Sequence, residues 1–456
     1  MKKVLAVILA AAMLLAGSGS CAEIAPAEAG QWALLSEAYR YTFPLVLMDL
    51  TMKSATNTET ADLAGHAPVN QLIHSQNLAN ADTRMVVTPN VDTVYTQAWL
   101  DLSAEPMIFV LPQTDRFCMT QVLDAWTNTP ATLKSGSYLL ALTGYTGAVP
   151  KGVTLVEIPT SMAWLITRTL INDEADMENV RKIQNGMRLL PLSCYESSKE
   201  YVPPKGEYKE ENNVVPVNAI LSMTPQQYFS SANALMASNP SPDADAAALK
   251  RFAALNIGPG LTFDASVLQG DVRANWKQML GEMKGIVVAA GAQYQIKLGD
   301  WSYFGDPIAR FGTAYDYRAM IALGGLGANP TDVAIYAKTG VDASRKTLNG
   351  QNHYVLHFET LPPIQEGGFW SVTAYGGDDF LIANELNRYC INDRSAFVLN
   401  GDGSLDILLS AAAPEKQSNW LPVGTDDFHL FLRIYLPDTG AVKESWTAPV
   451  VTQMPE

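Results

Sequence analysis

Local catalytic signatures are missing from this chain. It has no Gly-x-Ser-x-Gly elbow, no His-Glu-x-x-His, no Cys-x-x-Cys, no Walker A loop and no Gly-x-Gly-x-x-Gly turn. Their absence argues against serine hydrolase, zincin, dithiol, phosphoryl-transfer and dinucleotide chemistry. Hydrolysis by two acids stays open, because carboxylates brought together by a fold leave no local pattern. Cysteine is scarce, at four in 456 residues. Apart from Cys21 near the N-terminus there are Cys118, Cys194 and Cys390, an odd and widely spaced set. One disulfide can form in an oxidising compartment, but a disulfide scaffold is excluded. Histidine is scarce too. His353 and His357 have helical metal-ligand spacing but sit in an expected strand, where four residues span about 13 Å. No metal and no cofactor is expected.

Basic residues are also in short supply. Residues 1–22 read as a secretory leader, with a Met-Lys-Lys start, an apolar run from Val4 to Leu15 and small residues ending Ser20-Cys21-Ala22. The apolar run is too short to anchor, since a span needs about 20 residues. Cleavage is expected after Ala22. Lipoprotein processing at Cys21 is the rival, and Ser18 stands where that pathway wants a bulky aliphatic. The leader takes two of 31 basic residues and none of the 46 acids, so the remainder carries 29 against 46, a net of −17. That balance argues against nucleic acid and anionic lipid as partners. The expectation is a soluble exported protein, periplasmic or extracellular, with no membrane span and an oligomeric state the sequence leaves open.

What is present is ample core material: 48% hydrophobic residues against 17% charged. The patterns predict a multidomain α+β chain. An N-terminal mixed domain over 31–200 is expected to be β-sandwich-like with flanking helices. It begins with a helix over 31–55, interrupted by Pro44, where a kink or break is expected. Strands follow at Met85–Val87, Val94–Leu102, Met107–Leu111, Phe117–Trp126, Tyr138–Leu142, Val153–Ile158 and Trp164–Leu170. Residues 201–216, proline-rich and charged, read as a linker or exposed loop. A helical middle segment covers 217–348. Thr224-Pro-Gln-Gln227 is a helix start there, and Tyr315–Leu323 and Pro330–Ala337 read as shorter helices. Residues 349–452 predict a C-terminal β-sandwich or jelly-roll-like domain. Its strands are expected at Tyr354–Thr360, Phe369–Tyr375, Ala396–Leu399, Leu405–Ser410 and His429–Leu436.

Two strands carry the candidate site. The segment Arg84–Leu102 reads as strand, tight turn, strand, with Asn90 and Asp92 in the turn. Val94, Thr96, Ala98 and Leu100 then make one face, and Tyr95, Gln97 and Trp99 the other. In the late strand, Leu430, Leu432 and Ile434 oppose His429, Phe431, Arg433 and Tyr435. The two polar–aromatic faces are expected to converge on a cavity between the β units, with Trp420 lining it. Arg433 would hold an anionic group, or else serve as a strut for an internal acid such as Asp124. The predicted function is binding of a small polar, anionic or glycan-like ligand. The alternative is a secreted hydrolase with Asp92 and Asp124 as acid and base. Asn400-Gly-Asp-Gly-Ser-Leu-Asp406 lacks the sixth-position glycine of a calcium loop and reads as a plain turn.

Several segments are similar to a bacterial two-part family of paired domains of unknown function, numbered 1254 and 1214. The first part is carried by Tyr41-Thr-Phe-Pro-Leu45, Val87-Thr-Pro-Asn-Val-Asp-Thr-Val-Tyr95, Ala98-Trp-Leu-Asp-Leu102 and Gln121-Val-Leu-Asp124. The second is carried by Gly325-Leu-Gly-Ala-Asn329, Leu361-Pro-Pro363, Phe369-Trp-Ser-Val-Thr373, Asp402-Gly-Ser404, Asn419-Trp-Leu-Pro422 and Leu432-Arg-Ile-Tyr435. The resemblance implies an exported or envelope-associated protein with the same three-part layout, and it implies no reaction. Phe117-Cys118 departs from it, where paired aromatics are expected.

Overall fold

The computed structural model describes residues 26–84, 87–197 and 200–455. The expected leader with its cleavage site lies outside the described residues, as do Met85 and Val86. The first described element is the helix Pro26–Ala55, which runs through Pro44 instead of breaking there. Proline leaves the Arg40 carbonyl without its helical donor. Packing offsets that loss: Tyr41, Phe43, Leu45, Val46 and Met48 are fully buried. Next to the orphaned group, Arg318 Nη2 donates to the Tyr41 carbonyl at 3.3 Å. A helix apolar on every side belongs in an interior. Here it shares one core with Pro225–Ser238, Ala246–Phe252, Met279–Ala292 and Tyr315–Gly325. The capping box expected at Thr224 forms: its hydroxyl accepts from the Gln227 N–H, and Gln227 Oε1 accepts from the Thr224 N–H.

Among the described residues the first β unit has nine strands: β1 (Ile73–His74), β2 (Thr93–Asp101), β3 (Met107–Leu111), β4 (Cys118–Asp124), β5 (Ala131–Leu133), β6 (Gly136–Leu142), β7 (Thr154–Ile158), β8 (Met162–Leu170) and β9 (Arg188–Pro191). They form two sheets, ordered β1-β2-β8-β4-β5 and β7-β6-β3-β9. Alternation decides which side chains face inward. Ala98, Leu100, Cys118, Val122 and Leu165 of the first sheet pack on Met107, Phe109, Leu140 and Val156 of the second.

The second unit adds β10 (Gln295–Leu298), β11 (Trp301–Phe304), β12 (Ala334–Thr339), β13 (Tyr354–Phe358), β14 (Ile364–Gly376), β15 (Cys390–Asn392), β16 (Leu405–Ser410), β17 (Trp420–Pro422), β18 (Phe428–Pro437) and β19 (Val450–Gln453). Its sheets run β10-β11-β12-β18-β14-β15 and β17-β16-β13-β19. Ile335, Trp370, Leu430, Leu432 and Ile434 pack against Leu356, Leu405, Ile407 and Val451 between them. The chain is therefore mixed α+β, two pairs of facing sheets joined by a helical layer.

Several expectations are corrected. Residues 330–337 are not a helix; β12 pairs with β18 from Ala334↔Tyr435 to Thr339↔Leu430. Its burial alternates, with Ile335 and Ala337 inward and Tyr336 and Lys338 outward. That period of two outweighed the weak helical pattern. The middle segment is accordingly helical only to Gly325, apart from the β10–β11 hairpin, and β10 to β12 belong to the C-terminal sheet. Ala396–Leu399 lies outside the strands, tied down by Asn419, which bonds both backbone groups of Val398. Val87 is not in a strand either. Thr88 instead takes a left-handed φ of 46° and gives its N–H to the Asp379 carbonyl of the second unit.

Candidate functional site

The two β units meet through the outward faces of their larger sheets. On the first, the pairing register sets Tyr95, Arg168 and Met119 in one row and Gln97, Ile166 and Gln121 in the next. Trp99, Trp164 and Leu123 form a further row, covered by the helical layer. On the second, Tyr336, Arg433 and Ser371 lie abreast, flanked by Ala334, Tyr435 and Phe369. Cross-strand neighbours of this kind interact directly. The seam thus places guanidinium groups and phenols between two sheets.

Asn90 and Asp92 bind the seam shut at one end. Asn90 Nδ2 donates to the Tyr435 hydroxyl at 2.7 Å, while its Oδ1 accepts the Asp92 and Thr93 N–H groups. Asp92 is fully buried. Its carboxylate accepts from Ser371 Oγ, from Arg394 Nη2 at 2.9 Å and from Asn392 Nδ2 at 3.4 Å. A buried carboxylate so engaged is a strut across the units, because losing Arg394, its cationic partner, would leave a buried charge unpaired.

Arg433 is buried as well. It donates to Thr373 Oγ1 at 3.1 Å, the Tyr375 hydroxyl at 2.8 Å and the Thr88 carbonyl at 3.0 Å, and none of these is an acid. Burial works against its charge, but the oxygens of Tyr375, Tyr435 and Asp92 outweigh that and hold the group firmly protonated. Tyr435 stacks on Phe369 at 4.3 Å and meets Phe117 edge-on at 5.3 Å.

Sequence reasoning missed Arg168. It is 7% exposed and donates to Gln121 Oε1 at 2.9 Å, Asn329 Oδ1 at 3.0 Å and the Gly327 carbonyl at 2.8 Å. These acceptors are neutral, and its Nε has no partner among the described residues. Burial again opposes the charge, and the oxygens of Tyr336, Tyr95 and Tyr435 more than compensate. The Tyr95 ring lies 5.6 Å from the guanidinium carbon. Asn329 also donates to the Tyr336 hydroxyl at 2.7 Å, linking the arginine to the second unit. Gly327 has a φ of +84°, and a Cβ there would come within 3.0 Å of Ile166. Only glycine lets this loop lie flat on the sheet. The readable signal was a lone arginine in the face Trp164, Ile166, Arg168, Leu170, with no acid spaced to meet it.

Three predicted residues lie elsewhere. Trp99 stacks on Trp164 at 4.6 Å inside the helical core. Trp420 pairs with Leu408 in the four-stranded sheet, its indole N–H on the Ser410 carbonyl. That sheet is separated from the seam by the sandwich core. Asp124 lies opposite Ala163, whereas the Asp92 carbonyl accepts from the Ile171 N–H. Eight residues along β8 put about 26 Å between these positions. Asp92 and Asp124 therefore cannot act on one bond as acid and base, and Asp124 cannot be the partner of Arg433. Asp124 instead accepts the Trp126 and Asn128 N–H groups in a buried turn. Burial pushes its carboxyl up to about 6, with Asn128 and Arg318 restraining the shift.

Two surface hollows lie away from the seam, one of about 410 Å³ beside Asn70, Arg188 and Tyr201, the other of about 290 Å³ beside Arg40, Tyr294 and Tyr315. Among the described residues, no three His, Cys, Asp or Glu side chains gather closely enough to hold a metal ion, and no helix is long and apolar enough to cross a membrane. Cys118, Cys194 and Cys390 are free thiols.

No curated protein matches the chain. Among solved structures, it is similar to the VPA0106 protein from Vibrio parahaemolyticus, with 20% identity, a TM-score of 0.71, and coverage of 93% of this chain and all of that one. A more distant likeness, at 12% identity and a TM-score of 0.41, is to an uncharacterised protein from Burkholderia cenocepacia, covering 95% and 91% of the two chains. The first likeness shows the fold. Residues 69–191 match the family described as protein of unknown function (DUF1254), and residues 333–439 match protein of unknown function (DUF1214). The seam between the β units is thus the junction of two family modules, and the chain belongs to the family that pairs DUF1254 with DUF1214.

Proposed function

We propose that this protein is exported and binds a small anionic or polar ligand in the seam between its β units. One observation carries the binding role: Arg168 is buried among neutral acceptors, with no carboxylate among its hydrogen-bond partners. A buried cation ordinarily has a paired anion. The phenols of Tyr95, Tyr336 and Tyr435 surround it, which suits an anionic guest better than a neutral sugar. The basic start and small-residue end of 1–22 support export.

A thermal-shift series on purified protein tests the binding role, using phosphate, sulfate, acetate, citrate and neutral sugars. Ligand binding to the folded state raises Tm in step with concentration. A saturable rise with at least one anion is expected, and it should vanish in Arg168→Met. Flat responses across the whole series, with a folded protein, would refute the reading. Export is checked separately by mass spectrometry of the mature chain, which should begin at Glu23; a diacylglyceryl group on Cys21 would overturn simple release.

A further inference from the structure

We propose that the outer edge of β9 receives a short extended peptide, which adds one antiparallel strand to the sheet β7-β6-β3-β9. This site lies away from the seam and is independent of the anion reading. β9 ends its sheet and pairs with β3. Just past that ladder, the Leu192 N–H donates to the Pro106 carbonyl at 2.9 Å. Hydrogen bonding alternates along an antiparallel pair. Arg188 and Leu190 therefore turn their backbone groups toward β3, and Leu189 turns its N–H and C=O outward. Among the described residues neither outward group has a partner. The next donors on this edge are closed. Pro191 has no N–H, and the Met187 N–H is spent on the Gln184 carbonyl. One residue is thus open to exchange both of its bonds. Such a double exchange is made with the residue directly opposite in an antiparallel pair. A short, proline-ended edge resists open-ended sheet growth, so the partner it suits is short.

Space lies beside this edge. The hollow of about 410 Å³ is lined by β9 and by Leu72, Tyr201 and Pro203, and its volume falls in the usual range of small-ligand sites. Leu72, Met187 and Leu189 belong to the core of the first sandwich and form its apolar side. Tyr201 and Pro203 come from a surface segment pinned by Gln71, whose amide donates to the Pro204 carbonyl at 2.6 Å. Side chains alternate along a strand, and directly opposed residues share a face. The peptide residue opposite Leu189 therefore points to the side of Leu72 and Met187, where an apolar side chain is favoured. Its two neighbours lie on the side of Arg188, which is exposed, and suit polar side chains. A fatty chain would fill the same space but leave both Leu189 backbone groups without partners, which is costly once water is displaced.

Isothermal titration with capped tripeptides tests this on the full chain: acetyl-threonyl-X-threonine amide, with X glycine, valine, leucine or phenylalanine, and the leucine peptide N-methylated at leucine. At least one apolar X should bind with a Kd below about 1 mM, and at least about tenfold more tightly than glycine, the scale of burying one such side chain. N-methylation removes the amide proton meant for the Leu189 carbonyl and should cost at least about fivefold. Hydrogen exchange supplies the location: the bound peptide should slow exchange within residues 187–191. Leu189→Pro deletes the outward N–H at an edge position that tolerates proline, and it should abolish binding in a variant whose unliganded melt shows it folded. If that variant does not fold, the N-methyl and exchange results on the wild type decide. No saturable binding across the peptide set would overturn the proposal. So would an N-methylated peptide that binds as tightly as its parent, a glycine peptide that binds as tightly as the apolar ones, or protection that spares 187–191. None of these outcomes bears on the anion reading of the seam.

Discussion

Asn90 and Tyr435, separated by 345 positions in sequence, are joined by a 2.7 Å hydrogen bond from the amide of one to the hydroxyl of the other. The same Asn90 caps the turn into β2 through the Asp92 and Thr93 N–H groups. One short side chain thus fixes a local turn and the approach of a distant strand. Asn90→Ala should lower the unfolding free energy by about 1–2 kcal/mol, the usual scale for a lost cap and a lost neutral hydrogen bond. Urea denaturation checks it, and a change below experimental error would mean the contact is incidental.

Arg433→Met separates a cation needed for stability from one available to a ligand. The Asp92 carboxylate keeps Arg394, Ser371 and Asn392 when Arg433 is gone. The variant should therefore lose about 1–3 kcal/mol, from the stranded Thr88 carbonyl and the Thr373 and Tyr375 hydroxyls. Losing a whole buried ion pair would cost more, about 3–5 kcal/mol. A melt in which the variant collapses would assign Arg433 to holding the fold alone.

The pH dependence of stability carries a contribution from Asp124, whose carboxyl burial raises from 3.8 to about 6. The folded protein holds this proton more tightly than the unfolded chain does. Between about pH 4 and pH 6 the folded state therefore has more protons bound, and this residue's contribution falls as pH rises. Asp124→Asn keeps a side-chain oxygen for the Trp126 and Asn128 N–H groups and removes the titration. At pH 7 it should gain roughly 1–3 kcal/mol relative to wild type, with no gain near pH 3. Chemical denaturation at those two pH values decides it, and equal effects at both would contradict the assignment.

Much of this layout was legible in the sequence, and the failures have physical causes. The faces of β2 and β18 followed from strict alternation, and the Thr224 cap from side chains that act on their own backbone. At Pro44 the sequence allowed a break as readily as a kink, and burial on all sides holds one continuous helix there. Residues 330–337 misled because a short apolar run fits either period until a partner strand is known. Asp92 and Asp124 were paired on residue type alone, and only the register on β8 shows them at opposite ends. Arg168 escaped notice because two of its three acceptors are carbonyls brought by a loop about 160 residues downstream.

Limited proteolysis should begin in the segment before Pro216. Lys205 has an exposed side chain, and residues 203–205 run without regular structure over the surface. Lys209 is better guarded, since Asn57 bonds both its N–H and its carbonyl. Trypsin should cut first after Lys205. Mass mapping of the first fragments checks this, and initial cleavage inside 354–436 would contradict it.

The Gly327 carbonyl and the Asn329 amide belong to the stretch leading into β12, yet the guanidinium they hold sits on β8 of the other module. A division of the chain ahead of Gly327 would bare that charge in one fragment and two of its three acceptors in the other. A gene split between the two would yield partners obliged to find each other again.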